Sequence, residues 1–287
     1  MKFEIPLRPE IAPTDLLCIN RKLHDQPVKP RQAAFVDRFL TGAVRSGQAS
    51  HLVSYHEAMH YPATNPWCIR GMKFTAAVND CWRDGRKFYY IDNGYLGNGN
   101  SKTYFRIIKN HVHNIEPVIA RPRDRLERCQ YYTLPRTHGR KILIAPPSLK
   151  SLSLWNMDPE AWVAEVIAQL KNYTDRPVEI RLKRPRAERL AENTMAEALA
   201  DDVHCLITYN SVAAVEAVML GKPAICLGPN AASVVASTNL SEVENPKFPT
   251  EDEREAWLRH LSYSQFTFME MSNGTAWRIL TDHDTGI

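Results

Sequence analysis

From Lys141 onward the chain alternates short apolar runs with amphipathic stretches, and that alternation leaves few folds open to it. KILIA (141–145), PVEIRL (177–182), HCLIT (204–208) and AICL (224–227) are short, rich in branched apolar residues and bounded by proline or polar residues. Runs of that kind suit buried strands. Between the first two, Asp158 predicts an N-cap with Pro159 at the first helical position, and Trp162, Val163, Val166, Ile167 and Leu170 recur at helical spacing. Residues 187–199 read as the next helix, and Ser211 to Leu220 as a third, closed by Gly221. Strand and helix in turn predict a parallel sheet with helices on both faces, because only a crossover can return the chain to the same edge. Ligands of such sheets sit outside the carboxyl ends of the strands.

The first half reads as α/β as well, in shorter periodic segments. Residues 30–46 and 73–84 suit helices, and residues 50–54, 87–91 and 104–108 suit strands. Between the halves, ARPRDRLERCQYYTLPRTHGR (120–140) is rich in arginine and proline and lacks a clean period, as an interdomain connector does. The expectation is therefore two Rossmann-like domains facing a cleft, residues 1–140 on the acceptor side and 141–287 binding the donor. A length of 287 residues accommodates two modest cores.

Composition narrows the partners. With 44% hydrophobic and 24% charged residues, the sequence has no apolar run long enough to cross a bilayer, and its opening MKFEIPLRPE lacks the apolar core of a secretory signal. A cytoplasmic protein is the expectation. The six cysteines lie far apart with no C-x-x-C pair, so they read as reduced thiols. A net charge of +4 permits an anionic partner without demanding one.

The segment 207–228, ITYNSVAAVEAVMLGKPAICLG, carries the most chemistry. A strand that ends in Thr208, Tyr209, Asn210 and Ser211 and opens a helix presents free backbone N–H groups to a phosphate. Ser211 caps that helix or holds a phosphate oxygen; Glu216 is a solvated helix residue or accepts both hydroxyl protons of a ribose. The string resembles the S-x-x-x-x-E-A-x-x-x-G-x-P signature of GT-B glycosyltransferases, especially capsule-type Kdo transferases and the related glycerophosphotransferases. That resemblance implies a nucleotide-sugar donor, read as a UDP-sugar, bound without a metal or further cofactor at Asn210, Ser211 and Glu216. IRLKRPR (180–186) is similar to the basic strand end that such domains turn to the donor phosphates, which implicates Arg181 and Lys183; Ser148 and Lys150 in APPSLK are candidates for a second phosphate-facing loop, or belong to a plain one. WLRHLSYSQFTFMEMSNGTAW (257–277) resembles the terminal helix of short phage-type and bacterial glycosyltransferase-like proteins; Leu258, Leu261, Phe266, Phe268 and Met269 suit a core helix, and Gln265, Thr267 and Glu270 are candidates to reach the cleft.

In the first half, FYYIDNGYLGNGNSKTYFRIIKNHVHN (88–114) resembles a Y-I-D-x-G-Y segment of the same group. Asp92, directly after an apolar run, is expected at a strand tip as the catalytic base, with His56 and Glu57 of the loop SYHEAMHYP as further catalytic candidates. Tyr95, Arg106 and Arg136 are candidates for the acceptor. His56-Glu57-Ala58-Met59-His60 also matches the H-E-x-x-H pattern of zinc hydrolases, although Pro62 and Pro66 soon interrupt the helix that such a site needs.

Two acceptors fit the resemblance. One is a hydroxymethylated pyrimidine in double-stranded phage DNA, for which Arg121, Arg123, Arg125, Arg128, Arg136 and Arg140, interleaved with Tyr131 and Tyr132, would form a basic aromatic rim. The other is a surface polysaccharide. The sequence-level reading favours DNA, since no amphipathic membrane-binding helix stands out.

Overall fold

A computed structural model of the chain describes residues 8, 10–20, 30–97, 102–182 and 194–282. They form two compact units: residues 1–112 with 263–287, and residues 113–262. The chain thus starts the first unit, builds the second, and returns to finish the first. The sequence pattern places one boundary near Arg140 and keeps everything beyond it together, whereas the units divide near residues 112 and 262.

In the first unit, β1 (Leu16–Asn20), α1 (Pro30–Arg45), β2 (Ser50–Ser54), α2 (Tyr55–Ala58), β3 (Trp67–Arg70), α3 (Thr75–Arg83), β4 (Phe88–Asn93) and β5 (Phe105–Lys109) follow in order. In the second unit come α4 (Asp124–Arg128), β6 (Lys141–Ala145), α5 (Leu149–Trp155), α6 (Pro159–Leu170), β7 (Val178–Ile180), α7 (Met195–Ala200), β8 (Val203–Thr208), α8 (Ala213–Met219), β9 (Ala224–Cys226) and α9 (Glu251–Ser262). The returning segment is β10 (Gln265–Phe266), α10 (Phe268–Ser272) and α11 (Thr275–Thr281).

The first sheet has the order β10-β5-β4-β3-β1-β2; β1 to β4 are parallel, and β5 and β10 are joined antiparallel. Alternate residues of its strands face opposite sides. Leu16, Cys18, Cys68, Ile91 and Ile107 meet α1 through Phe35, Val36, Phe39 and Ala43, and the same core takes Phe266, Met271, Ala276, Trp277 and Leu280 from the returning segment. Leu17, Trp67, Ile69 and Tyr90 are buried toward the other side, where α3 packs against β3. There the Tyr55 hydroxyl donates to Asp80 of α3.

What closes the first unit is therefore distant in sequence. Gln265, fully buried, accepts at Oε1 from the N–H groups of Tyr95 (2.8 Å) and Leu96 (3.0 Å) and donates to the Leu96 carbonyl (3.1 Å). Thr267 and Glu270 form a reciprocal capping box on α10. The core reading of this stretch therefore holds, and these three candidates for the cleft hold the returning segment in place.

The second sheet, β7-β6-β8-β9, is parallel throughout. Ile142, Ile144, Cys205, Ile207 and Ile225 pack with Trp162, Val166 and Leu170 of α6, while α7 and α8 also pack against β8. Asp158 caps α6 by accepting from the Ala161 N–H, with Pro159 in its first turn. A cap of this kind contributes about 1 kcal/mol. The connector is not structureless: α4 lies within it. Residues 183–193, including Lys183 and most of the expected second helix, lie outside the described residues.

Gly42 shows how tightly the returning segment is held. A Cβ there would lie 1.8 Å from the Met271 carbonyl oxygen, a backbone atom that cannot swing aside. Gly42→Ala is expected to destabilise the protein by about 1–3 kcal/mol through overpacking, read as a lowered urea midpoint with an unchanged slope.

Candidate functional site

Sheet order locates the site in the second unit. The chain leaves β6 for β7 on one side, then crosses to β8 on the other, so the strand order reverses between β6 and β8. The crevice outside the carboxyl ends at such a reversal is where open α/β sheets bind ligands. Pro146 and Pro147 end β6 there, and Ser148 leads into α5. Beside it Thr208 ends β8, followed by Tyr209, Asn210, Ser211 and α8.

Buried polar groups tie these loops together. Thr208 Oγ1 donates to the Ala145 carbonyl (2.7 Å) and accepts from the Ser211 N–H (3.3 Å). Ser151 Oγ of α5 donates to Asn210 Oδ1 (2.8 Å), with both residues buried. Asn230, fully buried after β9, donates from Nδ2 to the Ser211 carbonyl (2.9 Å) and accepts at Oδ1 from the Ala232 N–H (3.0 Å). Each net bond contributes about 1 kcal/mol, but leaving a buried partner unmade costs more. The turn is consequently held from three sides. Against it stands an aromatic group: Tyr209 meets Trp155 and Trp162 edge-on at centroid distances of 5.9 and 6.5 Å. A Cβ at Gly228 would lie 2.5 Å from the Tyr209 ring, so glycine is what lets that ring approach the backbone.

Several donor candidates lie along this rim. Ser211 is half-buried and accepts at Oγ from the Ala213 N–H (3.3 Å), and Ser148 Oγ accepts from the Ser151 N–H (3.4 Å). Both serines thus support the local turn while retaining a hydroxyl proton to donate. Arg181, half-buried at the end of β7, donates its backbone N–H to the Ile144 carbonyl (2.8 Å), which places it beside the β6 tip. Lys150 lies in α5, and its side chain is outside what the structure describes. Glu216 lies four residues into α8 and is exposed. Among the described residues, a groove opens elsewhere, between α6 and residues 238–240; Trp162, Glu165, Gln169 and Leu227 line it without a basic side chain.

The arginines of the connector are engaged within the second unit. Arg121 and Arg125 are buried; Arg125 donates to the Ser262 carbonyl, and Arg121 lies near His260. Burial and that guanidinium push the His260 imidazole down to about 4. Arg123 pairs with Glu255 (3.3 Å), Arg128 with Asp124 (4.0 Å) and Arg140 with Asp202 (2.6 Å). Arg136, exposed, stands 5.5 Å over the Phe248 ring. Of the six arginines expected to form a DNA rim, two are buried and three pair with carboxylates, of which Glu255 and Asp202 are distant in sequence.

In the first unit, Asp92 sits near the tip of β4. It accepts from Arg70 Nη1 (2.9 Å), the Asn93 N–H (2.8 Å) and the Tyr90 hydroxyl (3.0 Å), with Arg106 Nη2 at 3.6 Å. Burial pushes its carboxyl up, but Arg106, Arg70 and the two hydrogen bonds outweigh that and hold it at about 2. A carboxylate held that low is a weak proton acceptor, which argues against the base role expected of it. Arg106 and Tyr95, expected on the acceptor, are both buried, with Arg106 5.1 Å from the Tyr95 ring and donating to the Asn93 carbonyl (2.8 Å). His56 follows β2, three strands from β4, so roughly 14 Å separates it from Asp92 at the usual strand spacing.

The H-E-x-x-H string is a capped turn here. The helix α2 is four residues long and ends before His60. Glu57 closes a capping box with Ser54 and is bound by Arg8 through Nε (2.7 Å) and Nη2 (3.0 Å). His56 and His60 are exposed, with ring centroids 5.3 Å apart. Among the described residues, no three His, Cys, Asp or Glu side chains gather as a metal site.

No protein-family profile matches the sequence, and no curated protein does. Solved structures do. The β-Kdo 2,7 transferase of Thermosulfurimonas dismutans KpsC is similar over 91% of this chain and 98% of its own, at 11% identity and a TM-score of 0.51. The β-Kdo 2,4 transferase of the same protein is similar over 87% of this chain and 91% of its own, at 13% identity and a TM-score of 0.45. The 2,7 transferase likeness shows a glycosyltransferase-like α/β fold. No described helix is long and apolar enough to cross a membrane.

The depressed Asp92 pKa has a measurable consequence. Its folded value lies below the ordinary 3.8, so the stability it contributes is fully present above about pH 4 and is lost as pH falls toward about 2. Asp92→Asn is expected to lower stability at neutral pH and to flatten the decline between about pH 4 and 2, followed by urea midpoints across that range.

Proposed function

We propose that the protein is a GT-B type glycosyltransferase that takes a nucleotide-activated sugar at the tips of β6 and β8 and delivers it to a hydroxyl of a surface polysaccharide. The observation that carries this reading is the reversal of strand order between β6 and β8, where Ser148, Asn210 and Ser211 share one rim. The fold similarity to a Kdo transferase structure supports it, as does the resemblance of residues 207–228 to the GT-B signature.

In this reading the hydroxyls of Ser148 and Ser211, together with Arg181, engage the donor phosphate. Positive charge and N–H dipoles there stabilise the negative charge that develops as the nucleotide leaves. Glu216, exposed one turn into α8, accepts from the ribose hydroxyls. Asp92, held ionised, contributes a fixed negative charge within the first unit rather than acting as a base. A polysaccharide acceptor replaces DNA because most arginines that would have tracked a phosphate backbone are buried or paired with carboxylates.

Calorimetric titration with uridine, guanosine and cytidine nucleotides tests the donor site. At least one is expected to bind, and Glu216→Ala or Ser211→Ala to weaken it about tenfold, equal to about 1.4 kcal/mol. Silence across the panel, or unchanged affinity in both variants, would remove the site. The acceptor is tested by gel shift in rising salt: tight duplex binding that depends on the modified base would restore DNA and exclude the polysaccharide.

A further inference from the structure

His56-Glu57-Ala58-Met59-His60 lacks the helix of a zinc hydrolase, yet its two histidines stand in an arrangement that the transferase reading does not use. Residues four apart on a helical turn are neighbours on its surface. The turn keeps that relation past the end of α2: the Met59 N–H donates to the Tyr55 carbonyl (3.2 Å) and the His60 N–H to the Glu57 carbonyl (3.0 Å). Both imidazoles are exposed, with ring centroids 5.3 Å apart and ring planes at 65°.

The backbone beneath them is fixed on both sides. Ahead of His56, the Tyr55 ring packs edge-on against Trp67 and Phe74 at 6.1 and 5.5 Å, and its hydroxyl donates to Asp80. Between the histidines, Ala58 is fully buried. After His60, Tyr61 is buried, and Arg86 donates from Nη2 to the Tyr61 carbonyl (3.0 Å) and from Nη1 to the Pro62 carbonyl (2.6 Å). A ligand shared by the two rings therefore has to order only their own side-chain torsions, which keeps the entropic cost of binding small.

That geometry suits a single ion. Zinc stands about 2.1 Å from an imidazole nitrogen, so two rings on one tetrahedral ion have centroids about 5 Å apart. Imidazole is a ligand for zinc, copper and nickel, whereas magnesium and calcium take oxygen. Glu57 is occupied by Arg8 and the Ser54 N–H, and no group of three metal-ligating side chains occurs among the described residues. The chain thus supplies two ligands, fewer than a structural or hydrolytic zinc site uses.

We propose that His56 and His60 form a two-histidine site for a divalent transition metal, of which zinc is the representative, just past the carboxyl end of β2. A tetrahedral ion held there keeps two positions for water or for the oxygen atoms of a ligand. Open parallel sheets take their ligands at the carboxyl ends of the strands, so the ion presents those positions on the binding edge of the first unit. The site is independent of the transferase reading, since it requires neither a nucleotide nor a sugar.

The test is calorimetric titration of the full chain, free of any affinity tag, with zinc and with magnesium, in the wild type, His56→Ala and His60→Ala. The wild type is expected to bind zinc in preference to magnesium. Each single variant is expected to weaken zinc at least about tenfold, because one imidazole alone cannot chelate. Both side chains are exposed, so the variants are expected to keep the wild-type urea midpoint; His56→Gln or His60→Gln replaces an alanine variant that does not fold. No zinc binding by the wild type, magnesium bound as tightly as zinc, or unchanged zinc affinity in either folded variant would overturn the site. Nucleotide titrations of the same variants are expected to match the wild type, which keeps the outcome separate from that of the donor site.

Discussion

Two parallel strands cannot be joined by a tight turn; the chain must travel back across the sheet before the next strand begins. Every consequence for chemistry in this protein descends from that rule. It makes each parallel strand finish on the same rim, and it collects the polar residues that end β6, β7 and β8 in one place. Thr208, Asn210 and Asn230 then convert a set of loops into a fixed surface, since each is buried and hydrogen-bonded across a gap between elements. The order of strands decides where along the rim a ligand has room.

The two rims differ electrostatically. In the second unit hydroxyls and N–H groups dominate, neutral donors suited to a phosphate. In the first, a carboxylate lies between two guanidinium groups. Breaking such a cluster is costly because any member left alone is a charge out of water. The arrangement keeps Asp92 ionised.

How much of this the amino-acid sequence discloses depends on the range of the interaction. KILIA, HCLIT and AICL announce strands because their apolar runs are local, and Asp158 announces a helix start because its partner is three residues away. The return of residues 263–281 to the first sheet left no such trace. The strand β10 is two residues long, and its pairing with β5 is a long-range event that periodicity cannot register. The arginine-rich connector looked like a nucleic-acid rim for the same reason: Asp202 and Glu255 lie far along the chain from Arg140 and Arg123. Arg70, the partner of Asp92, carries the same local signal, a charged residue at the end of an apolar run, in WCIR, but its pairing 22 residues along is not legible there. H-E-x-x-H is the opposite case, a string that matches a motif locally while Arg8 and Ser54 claim its glutamate.

The returning segment also bears on biosynthesis. A ribosome releases residues 113–262 before β10, α10 and α11 emerge, yet the first sheet needs Phe266, Met271, Trp277 and Leu280 to complete its core. The part encoded first therefore matures last. Until then its nascent sheet exposes the edge of β5 and an uncovered aromatic face beside α1, the kind of surface that chaperones bind.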